Sequence, residues 1–340
     1  MRAALHDAKQ WAGTMSTRRA SNALKIWASY QRAKRSGVPR IAGLPISISI
    51  EPTTACNLRC PECPSGLRSF TRPTGNLKPA LFHRIMDELG DDLWALTFYF
   101  QGEPFINPAF LDLVQDARER GIYTMTSTNA HFLDEERAER TVRSGLNRLI
   151  ISIDGTDQQT YSAYRRGGSL EKVIAGAGRI VKWKERLKSA TPRVVFQFLV
   201  VKPNEHQIPE VRAMANRIGV DDLWLKTAQV YEPGDDHPLI PTQDRYSRYR
   251  RQPDGTWQVK NALRNDCWRM WRGCVITWDG RVVPCCFDKD AHHVLGDVSK
   301  TSFTELWQGQ AYRDFRTALL GSRSGIEMCR NCSEGSPVWA

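Results

Sequence analysis

Three cysteines, Cys56, Cys60 and Cys63, fall within the stretch EPTTACNLRCPECPSG, spaced C-x3-C-x2-C. Three thiols are odd for disulfides and one short of the four ligands of a closed structural zinc site. Thiolates are soft ligands that select zinc, copper(I) or iron–sulfur clusters. A short loop bearing three of them can hold three corners of a cubane 4Fe–4S cluster and leave the fourth iron open. Most cluster-bearing electron carriers use four cysteines, so an open iron points to chemistry. The other six of the nine cysteines are Cys267, Cys274, Cys285, Cys286, Cys329 and Cys332. That segregation implies a second, separate site. Cys285 and Cys286 are adjacent on a β-like run and face opposite ways, so one of the two ligates.

The elements that must position the triplet read as an alternation. Strands are expected at 46–53, 94–100, 122–128, 148–154, 193–201 and 223–230, from short apolar or β-branched runs such as WALTFYF and RVVFQFLVV. Helices are expected at 78–90, 109–121, 134–145, 169–188 and 208–218, several closed by glycine. Six strand–helix units require a mainly parallel sheet covered by helices. They are too few for an eight-unit barrel, so the expected fold is α/β, a partial (β/α)6 TIM-like barrel. In such folds chemistry gathers at the carboxyl ends of the strands, which is where the triplet lies. Residues 233–265 read as an irregular linker. CVITWDGRVVPCC reads as a hairpin turning at Asp279-Gly280, followed by a helix at about 302–319. The expected divisions are thus 1–43, 44–232, 233–265 and a small cysteine-rich hairpin/helix domain at 266–340.

Composition suits a soluble globular chain: 41 % of the 340 residues are hydrophobic and 25 % charged. No secretory signal is visible and no apolar run spans a bilayer, which points to a reducing cytoplasmic setting. The net charge of +11 is uneven. Residues 1–40 hold nine Lys/Arg and one acid, so +8 of that total. This is an N-terminal property rather than a whole-surface field, and no nucleic acid is expected as partner. Leu24, Trp27 and Tyr30 recur at a spacing of three among basic residues. The favoured reading is a helix that packs this stripe on the domain. Contact with an anionic membrane surface or an acidic partner is the alternative.

The triplet on the loop after the first strand resembles the radical S-adenosylmethionine superfamily, over about 46–230. QGEP, Gln101–Pro104, resembles the family's GGEP motif, so Gln101, Gly102 and Glu103 are implied contacts for the amino group of S-adenosylmethionine. STNA (127–130) is similar to TNG and implies Thr128 and Asn129, with a departure at Ala130. SIDG and the following YSAYRRGGS imply Ser152, Asp154 and Arg165, the last as a charge-assisted carboxylate partner. The residue before the third cysteine, often aromatic in the family, is Glu62 here. Adenine would then rest on backbone or on apolar walls such as Val200 and Val201. The resemblance implies that Cys56, Cys60 and Cys63 hold a 4Fe–4S cluster chelated by the cofactor. An electron would cleave the cofactor to methionine and a 5′-deoxyadenosyl radical, which takes a substrate hydrogen.

The C-terminal pattern resembles the extension called SPASM, in its shortened twitch form with one auxiliary 4Fe–4S cluster. Cys267, Cys285, Cys329 and Cys332 are its implied ligands, with Cys274 and Cys286 as rivals and a four-cysteine zinc site as the alternative. An auxiliary cluster implies electron traffic and a net oxidation or crosslink of a peptide, protein or small molecule. It also implies an external electron donor such as flavodoxin or ferredoxin. Relatives that modify peptides often carry a leader-binding domain ahead of the barrel, and 1–45 looks too short for one. The competing class is a non-catalytic iron–sulfur or zinc-binding protein.

Overall fold

The structure, a computed structural model, describes residues 2–334. Its helices are α1 (Arg2–Gly13), α2 (Thr17–Ser36), α3 (Pro64–Leu67), α4 (Pro79–Leu89), α5 (Phe110–Glu119), α6 (Glu135–Arg143), α7 (Gln158–Tyr164), α8 (Leu170–Arg186), α9 (Ile208–Ile218), α10 (Arg269–Arg272), α11 (Phe303–Gln308), α12 (Gln310–Gly321) and α13 (Glu327–Arg330). Its strands are β1 (Ser47–Ile50), β2 (Ala95–Phe98), β3 (Tyr123–Thr128), β4 (Arg148–Ser152), β5 (Arg193–Val200), β6 (Asp222–Thr227), β7 (Tyr249–Arg251), β8 (Trp257–Val259), β9 (Val275–Ile276), β10 (Arg281–Val283) and β11 (Gly296–Asp297). The main strand order is β11-β10-β9-β1-β2-β3-β4-β5-β6. Strands β1 to β6 follow one another with helices between them, the order of a partial (β/α)6 barrel. Local chemistry supports the helices. Asp134, Asp157 and Ser169 each accept a backbone N–H at a helix start. Gly219 closes α9 at a φ of +84°.

The chain groups into two compact units. The first holds 1–55, 70–126 and 263–330, and the second holds 56–69, 127–262 and 331 onward. In the first unit, β1 pairs parallel with β2, placing Ile48 beside Leu96 and Ile50 beside Phe98. On its other side β1 pairs parallel with β9, Ile50 opposite Ile276. The expected hairpin is present as β9 and β10, antiparallel, and joins the core sheet rather than standing apart. Glu51, at the carboxyl end of β1, is fully buried and takes Arg72 bidentately, at 2.6 and 2.7 Å. In the second unit, β4, β5 and β6 are parallel, with Ser152 opposite Gln197 and Val200 opposite Thr227.

Three expectations are corrected. The helix read at 302–319 is two helices, because Gly309 is extended (φ −71°, ψ 173°) and ends α11 as it begins α12. The linker 233–265 contains an antiparallel hairpin, β7–β8. Pro253-Asp254-Gly255 is its turn signal, and Gly255 takes a φ of +85°. The stripe on α2 does not pack inward as a whole. Tyr30 lies against Trp268 and Trp271, each 5.3 Å between ring centroids, while Leu24 and Trp27 are exposed. No described helix is long and apolar enough to cross a membrane.

Candidate active site

The cysteine loop belongs to the second unit and folds back tightly on itself. Cys63 precedes the single-turn α3, with Pro64 at its first position. Gly66 packs its backbone on Cys60, since a Cβ there would lie 2.4 Å from Cys60 N. The Cys63 amide donates to Cys60 O at 3.4 Å, and the Arg59 amide to Arg166 O at 2.9 Å. Cys60 is buried within an apolar cluster that includes Leu58, Tyr164, Val201, Ala228 and Val230, and Cys56 and Cys63 pack against it. Among the described residues, none of the three cysteines is in a disulfide.

A strand end and a helix end aim N–H groups at those sulfurs. From the end of β3, Asn129 Nδ2 donates to Asn57 Oδ1 at 2.8 Å and lies 3.9 Å from Cys56 Sγ. Arg165, at the end of α7, places Nη1 3.8 Å from Cys60 Sγ. Its Nε donates to Asp154 Oδ2 at 2.5 Å. Asp154 is wholly buried, and its other oxygen accepts the Leu199 amide at 2.7 Å. Both carboxylate oxygens are therefore engaged, and what Asp154 does here is orient the guanidinium. Burial works against the charge on Arg165, but Asp154, Cys60 and Tyr164 outweigh it and hold the group charged beyond its ordinary range. Burial also pushes the Cys60 thiol up, opposed by Arg165.

The remaining predicted residues divide between the units. Ser152 is buried at the end of β4, two residues before Asp154. Thr128 Oγ1 accepts the Ala130 amide at 2.9 Å, and Ala130 itself takes a φ of +62°. The turn that a glycine would make freely is thus imposed on an alanine. Gln101, Gly102 and Glu103 lie in the first unit, all but Gly102 buried, and the Glu103 amide donates to Ala55 O at 2.8 Å. Gly102 has a φ of +74°, and a Cβ there would lie 2.3 Å from Thr53 O. Gly102→Ala is therefore expected to displace the 53–55 segment that leads into the cysteine loop. The left-handed backbone alone costs an alanine about 1–2 kcal/mol. S-adenosylmethionine cleavage should fall by a larger factor than thermal stability, compared by product assay and calorimetry. Wild-type turnover in G102A would refute a positioning role.

Sequence reasoning missed two supports. Glu62, which stands at the expected aromatic position, accepts the Tyr231 amide at 2.9 Å and lies 3.7 Å from His237 Nε2. It ties the cysteine loop to the segment after β6, a contact 169 residues away that no local pattern announces. His131 accepts the Ser169 amide on Nε2 at 2.8 Å and has Nδ1 2.9 Å from Asn129 O. Those partners define a neutral ring protonated on Nδ1. Burial lowers its pKa, and nearby Lys172 and Arg165 add to that. A lowered folded value contributes stability above the unfolded pKa, about 6.5. That contribution is lost as pH falls below it. Melting temperature should therefore drop between pH 7.5 and 5.5, and less so in His131→Gln. Parallel pH profiles for the two proteins would refute this.

The downstream cysteines have distinct surroundings. In the first unit, Cys285 is pushed well up by burial, then by Cys286, with Arg269 opposing and Cys267 adding to the rise. Cys274 is pushed up to about 12 by burial, and the neighbours that oppose this are the Tyr312 hydroxyl, through a hydrogen bond, and the Arg316 charge, rather than another cysteine. Arg316 is fully buried, 4.3 Å above the Trp307 ring and 4.5 Å above the Tyr312 ring. Cys329 is buried in the same unit, and Cys332 is buried in the second unit, where its sulfur accepts the Glu334 amide at 3.3 Å. Among the described residues, no three Cys, His, Asp or Glu side chains close on a single-ion position. The donors themselves suit an iron–sulfur cluster: soft thiols in an apolar pocket, with N–H groups directed at two of them.

Comparison with known proteins agrees with this chemistry. The family model described as the radical SAM superfamily matches residues 50–211, and the SPASM model, an iron–sulfur cluster-binding domain, matches 267–333. The chain is 26 % identical over 322 residues to a tungsten-containing aldehyde ferredoxin oxidoreductase cofactor-modifying protein of Pyrococcus furiosus, covering 84 % of this chain and 86 % of that one. It is 26 % identical over 320 residues to the PqqA peptide cyclase of Gluconobacter oxydans, covering 87 % and 84 %. Its fold is similar to that of Streptococcus suis SuiB bound to the precursor peptide SuiA, with a TM-score of 0.62 at 15 % identity over 93 % of this chain and 76 % of that one.

Proposed function

Because the chain belongs to the radical SAM superfamily and carries a SPASM iron–sulfur domain, we propose that it oxidises or crosslinks a peptide by hydrogen abstraction. That it is a radical SAM enzyme with an auxiliary cluster follows from the two matched domains, which together span residues 50–211 and 267–333. The peptide substrate is supported by relatives named for peptides, the PqqA cyclase and SuiB with SuiA.

When bound, the cluster and S-adenosylmethionine supply the electron and the 5′-deoxyadenosyl radical that removes a substrate hydrogen. The chain's residues do the rest. Cys56, Cys60 and Cys63 ligate the cluster. Asn129 and Arg165 direct N–H groups at Cys56 and Cys60 sulfur and so favour the anionic, ligating form. Arg165, held in place by Asp154, presents the cation that a carboxylate of the cofactor needs. Glu103, with Gln101 and Gly102, serves the ammonium, and Thr128 and Ser152 supply polar strand ends. Leu58, Tyr164 and Val201 exclude water around the cysteine loop. Cys267, Cys285, Cys329 and Cys332 would hold the auxiliary cluster, which would supply an acceptor for the electron that the substrate radical gives up. An electron donor such as flavodoxin or ferredoxin reduces the enzyme.

The observation that carries the site assignment is the convergence of Arg165 and Asn129 on two thiols of the triplet. The test is anaerobic reconstitution with iron and sulfide, followed by dithionite, S-adenosylmethionine and peptides encoded beside the gene. The expected result is 5′-deoxyadenosine together with a peptide lighter by two hydrogens. 5′-Deoxyadenosine without any peptide change, across all candidates, would exclude the peptide reading and leave the radical chemistry standing.

A further inference from the structure

Helix α2 buries several polar residues and leaves two large apolar ones exposed. On its inward face the polar residues are fully engaged. Arg19 donates to four backbone carbonyls, Thr14 O and Gly121 O at 2.6 Å and Gly90 O and Arg120 O at 3.0 Å. Asn22 exchanges two hydrogen bonds with the Leu44 backbone, both 2.8 Å. Ser29 accepts the Ala42 amide at 2.8 Å. Ile26 and Ala33 are buried on that face, and Tyr30 packs beside them on Trp268 and Trp271. The outward face is mostly charged and polar but carries two large apolar residues. Leu24 is 67 % exposed and Trp27 is 55 % exposed, one turn apart, with Met15 and Val38 exposed just before and just beyond the helix.

A surface helix buries its apolar stripe and shows its charges. Here Arg19, Asn22 and Ser29 are buried through specific hydrogen bonds, while Leu24 and Trp27 are left in water. Exposed Lys25, Arg32 and Arg35 lie around them. No acid occurs between Lys9 and Arg40, and residues 1–40 carry +8 of the chain's +11. A Trp and a Leu rimmed by cations are complementary to one kind of surface: anionic headgroups over an acyl layer. We propose that the outward face of α2 docks the enzyme on an anionic lipid bilayer, with Leu24 and Trp27 entering the headgroup boundary and Lys25, Arg32 and Arg35 against the phosphates. This goes beyond the reaction proposed above and does not depend on it.

The test is co-sedimentation of the full chain with vesicles of phosphatidylcholine containing phosphatidylglycerol, against phosphatidylcholine alone. Binding is expected only to the anionic vesicles, and it should weaken steeply as salt is raised. Neutralising Lys25 and Arg32 to Gln should weaken it on the order of 25-fold, since each cation near the surface contributes about fivefold. Leu24→Ser with Trp27→Ser should weaken it on the order of tenfold or more. Neither pair should alter the melting temperature or S-adenosylmethionine cleavage in solution, because these side chains face water. Absence of binding to anionic vesicles, or binding that both double variants retain, overturns the proposal. Capture of polyglutamate with an affinity above that for the vesicles would also overturn it and assign the face to an acidic protein partner.

Discussion

Replacing Cys60 by Ala is expected to lower the iron content from about eight to about four per chain and to reduce 5′-deoxyadenosine formation to background. Cys60 is the most constrained of the three loop thiols. It is buried in the apolar cluster, has Gly66 packed on its backbone, and has Arg165 Nη1 3.8 Å from its sulfur. With Ala in its place the loop offers two thiols, which cannot hold a cubane by three corners. The buried guanidinium also loses the anion it faces. Cys274→Ala is the matched control. Its thiol is buried too, but its neighbours are the Tyr312 hydroxyl and the Arg316 guanidinium, so iron should remain near the wild-type level. Iron and sulfide analysis with electron paramagnetic resonance on both variants settles the matter. Full iron and turnover in Cys60→Ala would remove the basis for the triplet assignment. Iron loss in Cys274→Ala equal to that in Cys285→Ala would move Cys274 into the auxiliary ligand set.

The second large effect is expected at Asp154, which touches no predicted ligand atom itself. It is wholly buried and holds Arg165 through Oδ2 and the Leu199 amide through Oδ1. Asn204 braces the same turn by donating to Asp154 O at 3.0 Å and Leu199 O at 2.9 Å. Removing one partner of a buried ion pair costs about 3–5 kcal/mol, because the other charge is left uncompensated. Asp154→Ala should therefore lower the melting temperature on the order of 10 °C. Asp154→Asn keeps an acceptor for the Leu199 amide and should lose less. Both should raise KM for S-adenosylmethionine more than they lower kcat, since a freed guanidinium no longer waits where a carboxylate binds. A purely structural role would lower stability without that split. A melting temperature within about 1 °C of wild type in D154A, with KM unchanged, would show that Arg165 is positioned by something else.

Much of this protein is legible in short windows of its sequence. The spacing of Cys56, Cys60 and Cys63 is covalent and survives any fold, so the incomplete thiol set could be read without coordinates. The strand–helix alternation is carried by side-chain periodicity: the observed β1 to β5 lie inside the runs where it places them, and β6 begins one residue before its run. Asp279-Gly280 marks its own turn, where Gly280 takes a φ of +97°. These features depend on residues a few positions apart, whose preferences are set by backbone sterics and by which face of an element is apolar.

The tertiary structure decided what depends on surfaces meeting. The pairing of β9 with β1 joins residues about 226 positions apart, Ser49 to Val275, and no motif in either segment encodes its partner. Glu62 finds the Tyr231 amide only because the segment after β6 returns to the cysteine loop. The direction of Arg165 follows from Asp154, and that of Asp154 from the Leu199 amide on the neighbouring strand. Helix α2 shows the limit most plainly. Its composition announces a basic amphipathic helix, but composition does not say which stripe turns inward. The carbonyls of Thr14, Gly90, Arg120 and Gly121 decide that, because buried acceptors need donors and Arg19 supplies them. Leu24 and Trp27 are left outside as the consequence of that requirement, which exists only once the chain has folded.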